Sequence, residues 1–217
     1  ADFGPSMVNA FAYMGGHAVG VVANQSLHLS GALDCEASQK TARFVRLCDS
    51  YNIPIVTLID APGFMPGVQQ EQLGILRQGA LLCQAMYTKV PKLSVTFRKC
   101  YGASAIVLGQ TLKWKGDLTL ALETSRLAVM GFHAAKDVVY REELQACAHD
   151  AEQTKAKINE LKNRYYRDYE DPQLAYRLGL IDEVIPIEKL RATFIRHLDL
   201  VERKRDRKRE PVRGVFP

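Results

Sequence analysis

The chain has 217 residues, of which 47% are hydrophobic and 24% are charged, so it can form one substantial globular domain. Seven of its basic residues lie within the last fifteen positions, which leaves the rest near neutral despite a formal net charge of +5. A near-neutral body implies no basic face for nucleic acid. The basic run has two interpretations, a solvated tail or a contact with an anionic partner or ligand.

The five cysteines are odd in number, and no two of them are spaced C-x-x-C. Such a set argues against a disulfide framework or a zinc site and suits a reducing compartment. The histidines are scattered without metal-ligand spacing, so no bound metal is expected. The sequence shows no secretory leader and no apolar run of the ~18 residues that a membrane span needs. We therefore expect a cytoplasmic protein, or one of the mitochondrial matrix in a eukaryote.

The first part of the chain alternates between strand-like and helical patterns. Residues 11–24 are rich in valine and glycine and predict a strand. Residues 35–51 follow a helical period with Asp34 as the N-cap, and their apolar positions are Phe44, Leu47, Cys48 and Tyr51. Residues 53–59 form a continuous apolar run, typical of a strand buried on both faces, and a loop rich in proline and glycine follows at 60–67.

The same alternation continues to residue 131. A second helix is predicted over residues 69–88, with an apolar stripe of Leu73, Leu76, Ala80, Cys83 and Tyr87. A strand at 93–97 leads to a turn at 101–102, and a short helix of small residues begins at 103. Residues 127–131 predict one more strand with a helix after it. Strands separated by helices favour an α/β fold with largely parallel strands.

Helical patterns predominate in the last third of the chain. Residues 141–170 repeat apolar positions at helical spacing and predict a long amphipathic helix or a helix pair. The dipeptide Asp171-Pro172 breaks this pattern, and a short helix then ends near Gly179. Residues 187–203 predict a last amphipathic helix that runs into the basic tail.

One segment offers the chemistry of a binding site. The chain shows no G-x-S-x-G nucleophile elbow and no G-x-G-x-x-G fingerprint. At residues 101–105 a strand end meets a glycine turn and a helix start, where small side chains leave backbone N–H groups free to face a ligand oxygen. Two such donors form an oxyanion hole. The spacing alone leaves a second interpretation open, a tight packing contact that requires small residues.

Several blocks of sequence, in order, resemble one protein family. The most specific is the loop at 60–67, and the others are 12–25, 31–34, 40–54, 98–102, 128–131 and 179–185. Over residues 8–205 the chain resembles the C-terminal domain of the biotin-dependent acyl-CoA carboxyltransferases, which include β subunits of acetyl-CoA and propionyl-CoA carboxylases. The resemblance implies a crotonase-like (ClpP/crotonase) ββα superhelix with long C-terminal helices. It also implies one domain over residues 1–205, followed by a basic tail at 206–217.

The resemblance further implies which residues carry the chemistry. Gly102, Ala103 and Ser104 match the catalytic turn whose backbone amides bind the ureido oxygen of biotin in the family. Ile106 matches a position that lines the acyl pocket. The other implied substrate-binding residues are Tyr101, Phe64, Gly67, Gly131 and Phe132. No side-chain base and no metal are implied, because in the family the freed biotin nitrogen takes the α-proton of the acyl-CoA.

The same resemblance implies that this site is incomplete. In the family a second oxyanion hole, for the thioester oxygen, lies in an N-terminal carboxyltransferase domain, so such a domain or subunit is an expected partner. Biotin is expected on a separate biotin carboxyl carrier protein that a biotin carboxylase serves, with acyl-CoA as the other substrate. A homo- or hetero-oligomer is expected, because family domains from different subunits face each other.

Several stretches depart from the family pattern, namely His17 and residues 122–126, 132–135 and 213–217. These departures leave alternatives to a carboxylase component. One is a subunit of a biotin-dependent acyl-CoA decarboxylase, which runs the same transfer in reverse, and another is a non-catalytic structural half of such a complex. A hydratase or isomerase of the wider crotonase group is the last, and it needs a pair of acids near the hole that the sequence does not show.

Overall fold

The computed structural model describes residues 2–108, 116–147 and 149–202. The strands of this part are β1 (Met7–Met14), β2 (His17–Asn24), β3 (Ile55–Ala61), β4 (Lys92–Tyr101), β5 (Leu118–Leu122), β6 (Arg126–Ala128) and β7 (Glu183–Ile185). The α-helices are α1 (Cys35–Ser50), α2 (Val68–Gln72), α3 (Ile75–Ala85), α4 (Ala103–Val107), α5 (Phe132–Val139), α6 (Arg141–Ala146), α7 (Ala151–Tyr165), α8 (Pro172–Arg177) and α9 (Ile187–Val201). A 3₁₀ turn covers Leu29–Gly31 and a π-helical turn covers Tyr166–Glu170.

The strands form one sheet in the order β1-β2-β3-β4-β5-β7, and β6 pairs with the end of β4. The β1–β2 pair is antiparallel, and the later pairs are parallel. This arrangement confirms the predicted α/β class with largely parallel strands. Strand β4 pairs with β3 on one side, and on the other side with β5 along its first part and with β6 at its carboxyl end, so that end has a strand on each side.

Helices cover both faces of the sheet. On one face, α1 and α3 pack over buried strand residues, and the cluster includes Val45, Ile55, Ile59 and Leu82. On the other face, α9 packs over a second cluster, which includes Val56, Leu93, Leu120, Phe194 and Leu198. Strands buried on both faces need apolar side chains at nearly every position, which explains the continuous apolar run that predicts β3.

The first strand prediction is wrong in its topology. Residues 11–24 do not form one strand but parts of the hairpin of β1 and β2, in which Met14 pairs with His17. The chain reverses at Gly15 and Gly16, which adopt φ angles of 58° and 88°. Only glycine adopts such angles without steric cost, so the glycine pair marks a turn and not the flank of a strand.

The predicted helix over residues 69–88 is also wrong in its continuity. Gly74, with φ of 82°, separates α2 from α3. Leu73, Leu76 and Tyr87 of the predicted stripe are 54%, 87% and 56% exposed. The buried positions of α3 are Ile75, Gln78, Gly79, Leu82 and Ala85. Much of the predicted apolar stripe is therefore exposed, while its member Cys83 is half-buried.

Helix α1 agrees closely with its predicted range, and its N-cap is confirmed. Asp34 accepts a hydrogen bond from the backbone N–H of Ala37 at 2.7 Å. The predicted apolar face is only partly buried, because Leu47 is 37% exposed and Tyr51 is 66% exposed. Phe44 contacts Phe11 of β1, with ring centroids 5.1 Å apart.

Two further strands escape the sequence prediction. β5 has five residues and β7 has three, so neither is long enough to show a periodicity of its own. The two strands pair in parallel and close one side of the sheet. Each is recognisable only once its partner strand is known.

Residues 141–170 form an arm that leaves the sheet. The arm consists of α6, α7 and the π-helical turn, so it is a helix pair with an extra turn and not one long helix. It carries a small core of its own around Phe132, Tyr140, Leu161 and Tyr165. The predicted last helix is observed as α9, while residue 203 and the predicted tail at 206–217 lie outside the described residues.

The N-cap of α1 generates a prediction about stability. Replacing Asp34 by Ala removes the acceptor of the Ala37 N–H, which is expected to lower the free energy of unfolding by about 1 kcal/mol. For a chain of this size that loss corresponds to roughly 2–4 °C in the melting temperature. Asp34→Ser keeps a capping oxygen and serves as the matched control. Equal melting temperatures for Asp34→Ala and the parent would contradict the capping role.

Candidate functional site

The candidate site lies where β4 ends. Gly102 follows the strand with φ of 60° and ψ of −144°, and α4 begins at the next residue. The Gly102 N–H donates to the carbonyl oxygen of Ala128 at 3.1 Å, which extends the pairing between β4 and β6. A Cβ atom on Gly102 would lie 3.2 Å from the carbonyl oxygen of Val129. The positive φ and this close approach both require glycine at the turn.

Two backbone amides follow the turn. Ala103 and Ser104 are the first two residues of α4, so their N–H groups have no acceptor within the helix. The side chain of Ser104 is fully buried, and its hydroxyl donates to the carbonyl oxygen of Tyr101 at 2.6 Å. The hydroxyl of Ser104 thus closes the turn, and the amides are the groups left to bind a ligand.

A cleft of about 590 Å³ opens beside these residues. Its walls come from the turn and α4, from β6 and from the end of the arm with α8, and they include Gly102, Ala103, Ile106, Leu127, Tyr165 and Leu178. The residues that line it are apolar or small, apart from two tyrosines and Cys100, and none carries a charge. The arrangement therefore offers backbone hydrogen-bond donors at the edge of an apolar cleft, which is the general form of a small-molecule site.

Of the residues predicted from the sequence, the structure brings Gly102, Ala103 and Ile106 to the cleft. Ile106 is 37% exposed, so it is open to a ligand. Tyr101 and Gly131 lie together behind the turn, because a Cβ atom on Gly131 would sit 2.8 Å from Cε2 of the Tyr101 ring. Gly131 therefore makes room for the tyrosine ring.

The other predicted substrate-binding residues do not line the cleft. Phe132 is 3% exposed and packs against Tyr165, with ring centroids 5.9 Å apart. Phe64 packs on Gly79 of α3, where an added Cβ would lie 3.1 Å from the ring. Gly67, with φ of 127°, precedes α2. In the described chain Phe132 and Phe64 contact other residues of the fold, and nothing places Gly67 beside the turn.

Sequence reasoning missed Glu170, the last residue of the π-helical turn. This carboxylate is 1% exposed and accepts hydrogen bonds from the Tyr101 hydroxyl at 3.2 Å and the Phe132 N–H at 3.0 Å. Burial, and then the charge of Glu170, raise the pKa of Tyr101 above its usual range. A glutamate in an amphipathic arm is typical of a solvated face, so the sequence carries no clear signal for this contact.

Asp60, at the end of β3, has a structural partner. Its carboxylate accepts a hydrogen bond from the Ser26 hydroxyl at 2.6 Å and pairs with the Arg98 guanidinium at 2.8 Å. The group thus ties β3 to β4 and is occupied by these contacts. Within the described residues no cluster of three or more His, Cys, Asp or Glu side chains could hold a metal ion. No helix of that same part is both long and apolar enough to cross a membrane.

Comparisons with known proteins agree on one family. The family described as carboxyl transferase domain matches residues 1–216. The biotin-dependent acetyl-/propionyl-coenzyme A carboxylase beta5 subunit of Mycobacterium tuberculosis is 44% identical over 210 residues, which cover 94% of this chain and 37% of that protein. The methylmalonyl-CoA decarboxylase subunit alpha of Propionigenium modestum is 34% identical over 217 residues, which cover 99% of this chain and 41% of that protein.

A solved structure shows the same fold. The transcarboxylase 12S crystal structure, a hexamer with methylmalonyl-coenzyme A bound, matches with a TM-score of 0.84 at 38% identity, over 98% of this chain and 40% of that one. The predicted crotonase-like fold of the carboxyltransferases is thereby confirmed. The chain spans about two fifths of the length of these relatives.

The buried cysteines, of which Cys100 lines the cleft, generate a prediction about thiol reactivity. Burial raises the pKa of both Cys100 and Cys48 to about 12, so at pH 8 these thiols stay protonated and unreactive. Iodoacetamide followed by peptide mass spectrometry is expected to label the half-buried Cys83 in the native protein. Cys48 and Cys100 are expected to react only after unfolding by guanidinium. Labelling of Cys100 at the rate of Cys83 in the native protein would contradict the burial of the Cys100 thiol.

Proposed function

Because this chain belongs to the carboxyl transferase domain family, we propose that it is the C-terminal half of a biotin-dependent acyl-CoA carboxyltransferase. Carboxybiotin on a separate carrier protein is the CO₂ donor in this proposal, and a short acyl-CoA is the acceptor at its α-carbon. The observation that carries the proposal is the turn at Gly102. The Ala103 and Ser104 amides after it have no acceptor within the helix, and Ala103 lines an open apolar cleft, while the next residue, Ser104, is fully buried and is not among the lining residues.

The proposed role of the chain is to stabilise charge on an oxygen. When bound, carboxybiotin would supply the CO₂ and a basic nitrogen, and its ureido oxygen would be the oxygen on which this chain stabilises the charge. Two preorganised backbone donors beside an apolar cleft stabilise such a charge more strongly than water does, because they need no reorganisation during the reaction. The amides of Ala103 and Ser104 supply these donors, and the positive φ of Gly102 aims them.

The features of the cleft weigh against the alternative functions. A hydratase or isomerase needs acidic groups beside the hole, and no acidic residue lines the cleft. A decarboxylase subunit would use the same chemistry in reverse, and the decarboxylase relative is 34% identical where the carboxylase relative is 44% identical. We therefore favour carboxylation. A non-catalytic structural half is disfavoured by the intact turn at Gly102.

We propose that the partners are an N-terminal carboxyltransferase domain or subunit, a biotin carboxyl carrier protein and a biotin carboxylase. The exposed apolar side chains of Leu73, Leu76 and Tyr87 support an oligomer, because large apolar side chains exposed along one segment are candidates for an interface. The five free cysteines support the cytoplasm as the location, since reduced thiols persist in reducing compartments.

The central test concerns completeness. The isolated chain is expected to show no carboxyl transfer between malonyl-CoA or methylmalonyl-CoA and free biotin, because the thioester oxygen has no hole in this half. Addition of the N-terminal half is expected to restore transfer, measured by the formation of carboxybiotin. Turnover by the isolated chain well above background would contradict the division of the site. No turnover by the complete pair would contradict the proposed function.

A second prediction separates backbone from side-chain catalysis. Ala103→Pro removes one amide donor, and the loss is expected to lower the rate by ~10²–10³-fold. Ser104→Ala keeps both amides and is expected to change the rate little. Gly102→Val is expected to damage the site as well, since a β-branched residue avoids positive φ. Each variant must keep the parent melting temperature within a few degrees. An inactive Ser104→Ala beside an active, folded Ala103→Pro would require a side-chain mechanism.

A third prediction concerns the choice of acyl group. Ile106 presents an apolar side chain to the cleft, so the completed enzyme is expected to accept acetyl-CoA or a broad range of acyl groups. One methylene in an apolar pocket changes transition-state binding by only ~1–3 kcal/mol, so the selectivity is expected to be modest. Values of kcat/KM for acetyl-CoA, propionyl-CoA and butyryl-CoA measure it. A strict preference for propionyl-CoA would be the contrary result.

A further inference from the structure

Glu170 is a buried charge that the proposed reaction does not use directly. Among the described residues it and Lys92 are the buried charged side chains. A buried carboxylate destabilises the fold unless it is paired and hydrogen-bonded, so the groups that bind Glu170 indicate its role. One carboxylate oxygen, Oε1, accepts from Tyr101 and Phe132, and the other, Oε2, lies 3.5 Å from Nη1 of Arg126.

These three partners come from the segments that frame the turn. Tyr101 is the last residue of β4 and directly precedes Gly102. Arg126 is the first residue of β6, the strand whose Ala128 carbonyl receives the Gly102 N–H. Phe132 is the first residue of α5. A single carboxylate therefore joins both strands around the turn to the start of the helix behind them.

The neighbouring arm residues reinforce the same segments. Tyr165 donates from its hydroxyl to the carbonyl oxygen of Met130 at 2.8 Å. The guanidinium of Arg126 lies over the Tyr166 ring, 5.0 Å from its centroid. Gly131 sits against the Tyr101 ring, which leaves that ring little room to move. The arm thus fixes the backbone from residue 126 to residue 132 and, through Tyr101, the residue that enters the turn.

We propose that Glu170 is a positioning residue that fixes the Ala103 and Ser104 amides through its hydrogen bonds to Tyr101 and Phe132. Tyr101 directly precedes Gly102, so a displacement of Tyr101 passes along the backbone to the Ala103 and Ser104 amides. Displacements of about 1 Å at a catalytic group can cost ~10²-fold in rate. The inference rests on the proposed function, because it assigns Glu170 to the same pair of amides.

The test compares carboxyl transfer by the complete pair of halves for three variants. Glu170→Ala removes all three contacts and is expected to lower kcat about 10–100-fold with little change in the KM for acyl-CoA, since the cleft walls stay in place. Tyr101→Phe removes one hydrogen bond and keeps the ring, so a smaller, several-fold loss in kcat is expected. Glu170→Gln keeps an acceptor for both donors and is expected to restore most of the parent kcat.

Two matched controls distinguish positioning from general damage to the arm. Glu143→Ala removes a carboxylate that pairs with Arg164 and Lys157 of the same arm, away from the turn. Tyr140→Phe makes the same chemical change as Tyr101→Phe, but in the apolar cluster that packs α5 against the arm. Both are expected to retain the parent kcat at a similar or lower melting temperature.

The outcomes distinguish a failure of the proposed function from a failure of the positioning role of Glu170. An inactive parent complex would overturn the proposed function and the positioning role together. An active parent with an unchanged kcat in folded Glu170→Ala would overturn the positioning role alone. If Glu170→Ala does not fold, Tyr101→Phe decides the matter. A reduced kcat at the parent melting temperature then supports the role, and a parent-like kcat contradicts it.

Discussion

The hydrogen bond from Gly102 to Ala128 is the contact on which the site depends. It ends β4 at a defined point, where the chain turns and α4 begins at the edge of the cleft. Because this end of β4 pairs with β3 on one side and with β6 on the other, it cannot shift without disturbing the sheet. The rest of the fold supplies rigidity to this one turn. Such rigidity matters because preorganised donors stabilise charge without having to reorient.

Two separate parts of the chain hold the turn, and they do so by different forces. Apolar packing fixes β4 on both faces of the sheet, through the cluster under α1 and α3 and the cluster under α9. Polar contacts fix the turn from behind, through the buried carboxylate of Glu170 at the end of the arm. Apolar packing tolerates substitutions that conserve side-chain volume, whereas a buried carboxylate requires hydrogen-bond donors at particular positions. The arm therefore adds specific polar contacts to a turn whose strand is already held by the sheet.

The sequence predicts the parts of this structure that depend on local pattern. The α/β class, the cap at Asp34 and the glycine turn at 102 all follow from short-range rules, and the structure contains each of them. The hairpin reversal at Gly15 and the break between α2 and α3 at Gly74 are missed although both are positions where glycine adopts a positive φ, because the surrounding residues continue the strand or helix pattern. Glu170 is missed for a different reason, because its partners are 38 and 69 positions away in the chain.

The most direct test of the backbone oxyanion hole is a crystal structure of the two halves together with biotin bound. The ureido oxygen is expected within hydrogen-bonding distance, about 2.7–3.2 Å, of both the Ala103 and the Ser104 nitrogen atoms. The Ser104 hydroxyl is expected to keep its bond to the Tyr101 carbonyl in the same structure. Biotin bound with its ureido oxygen on another group, and both amides left to water, would contradict the account.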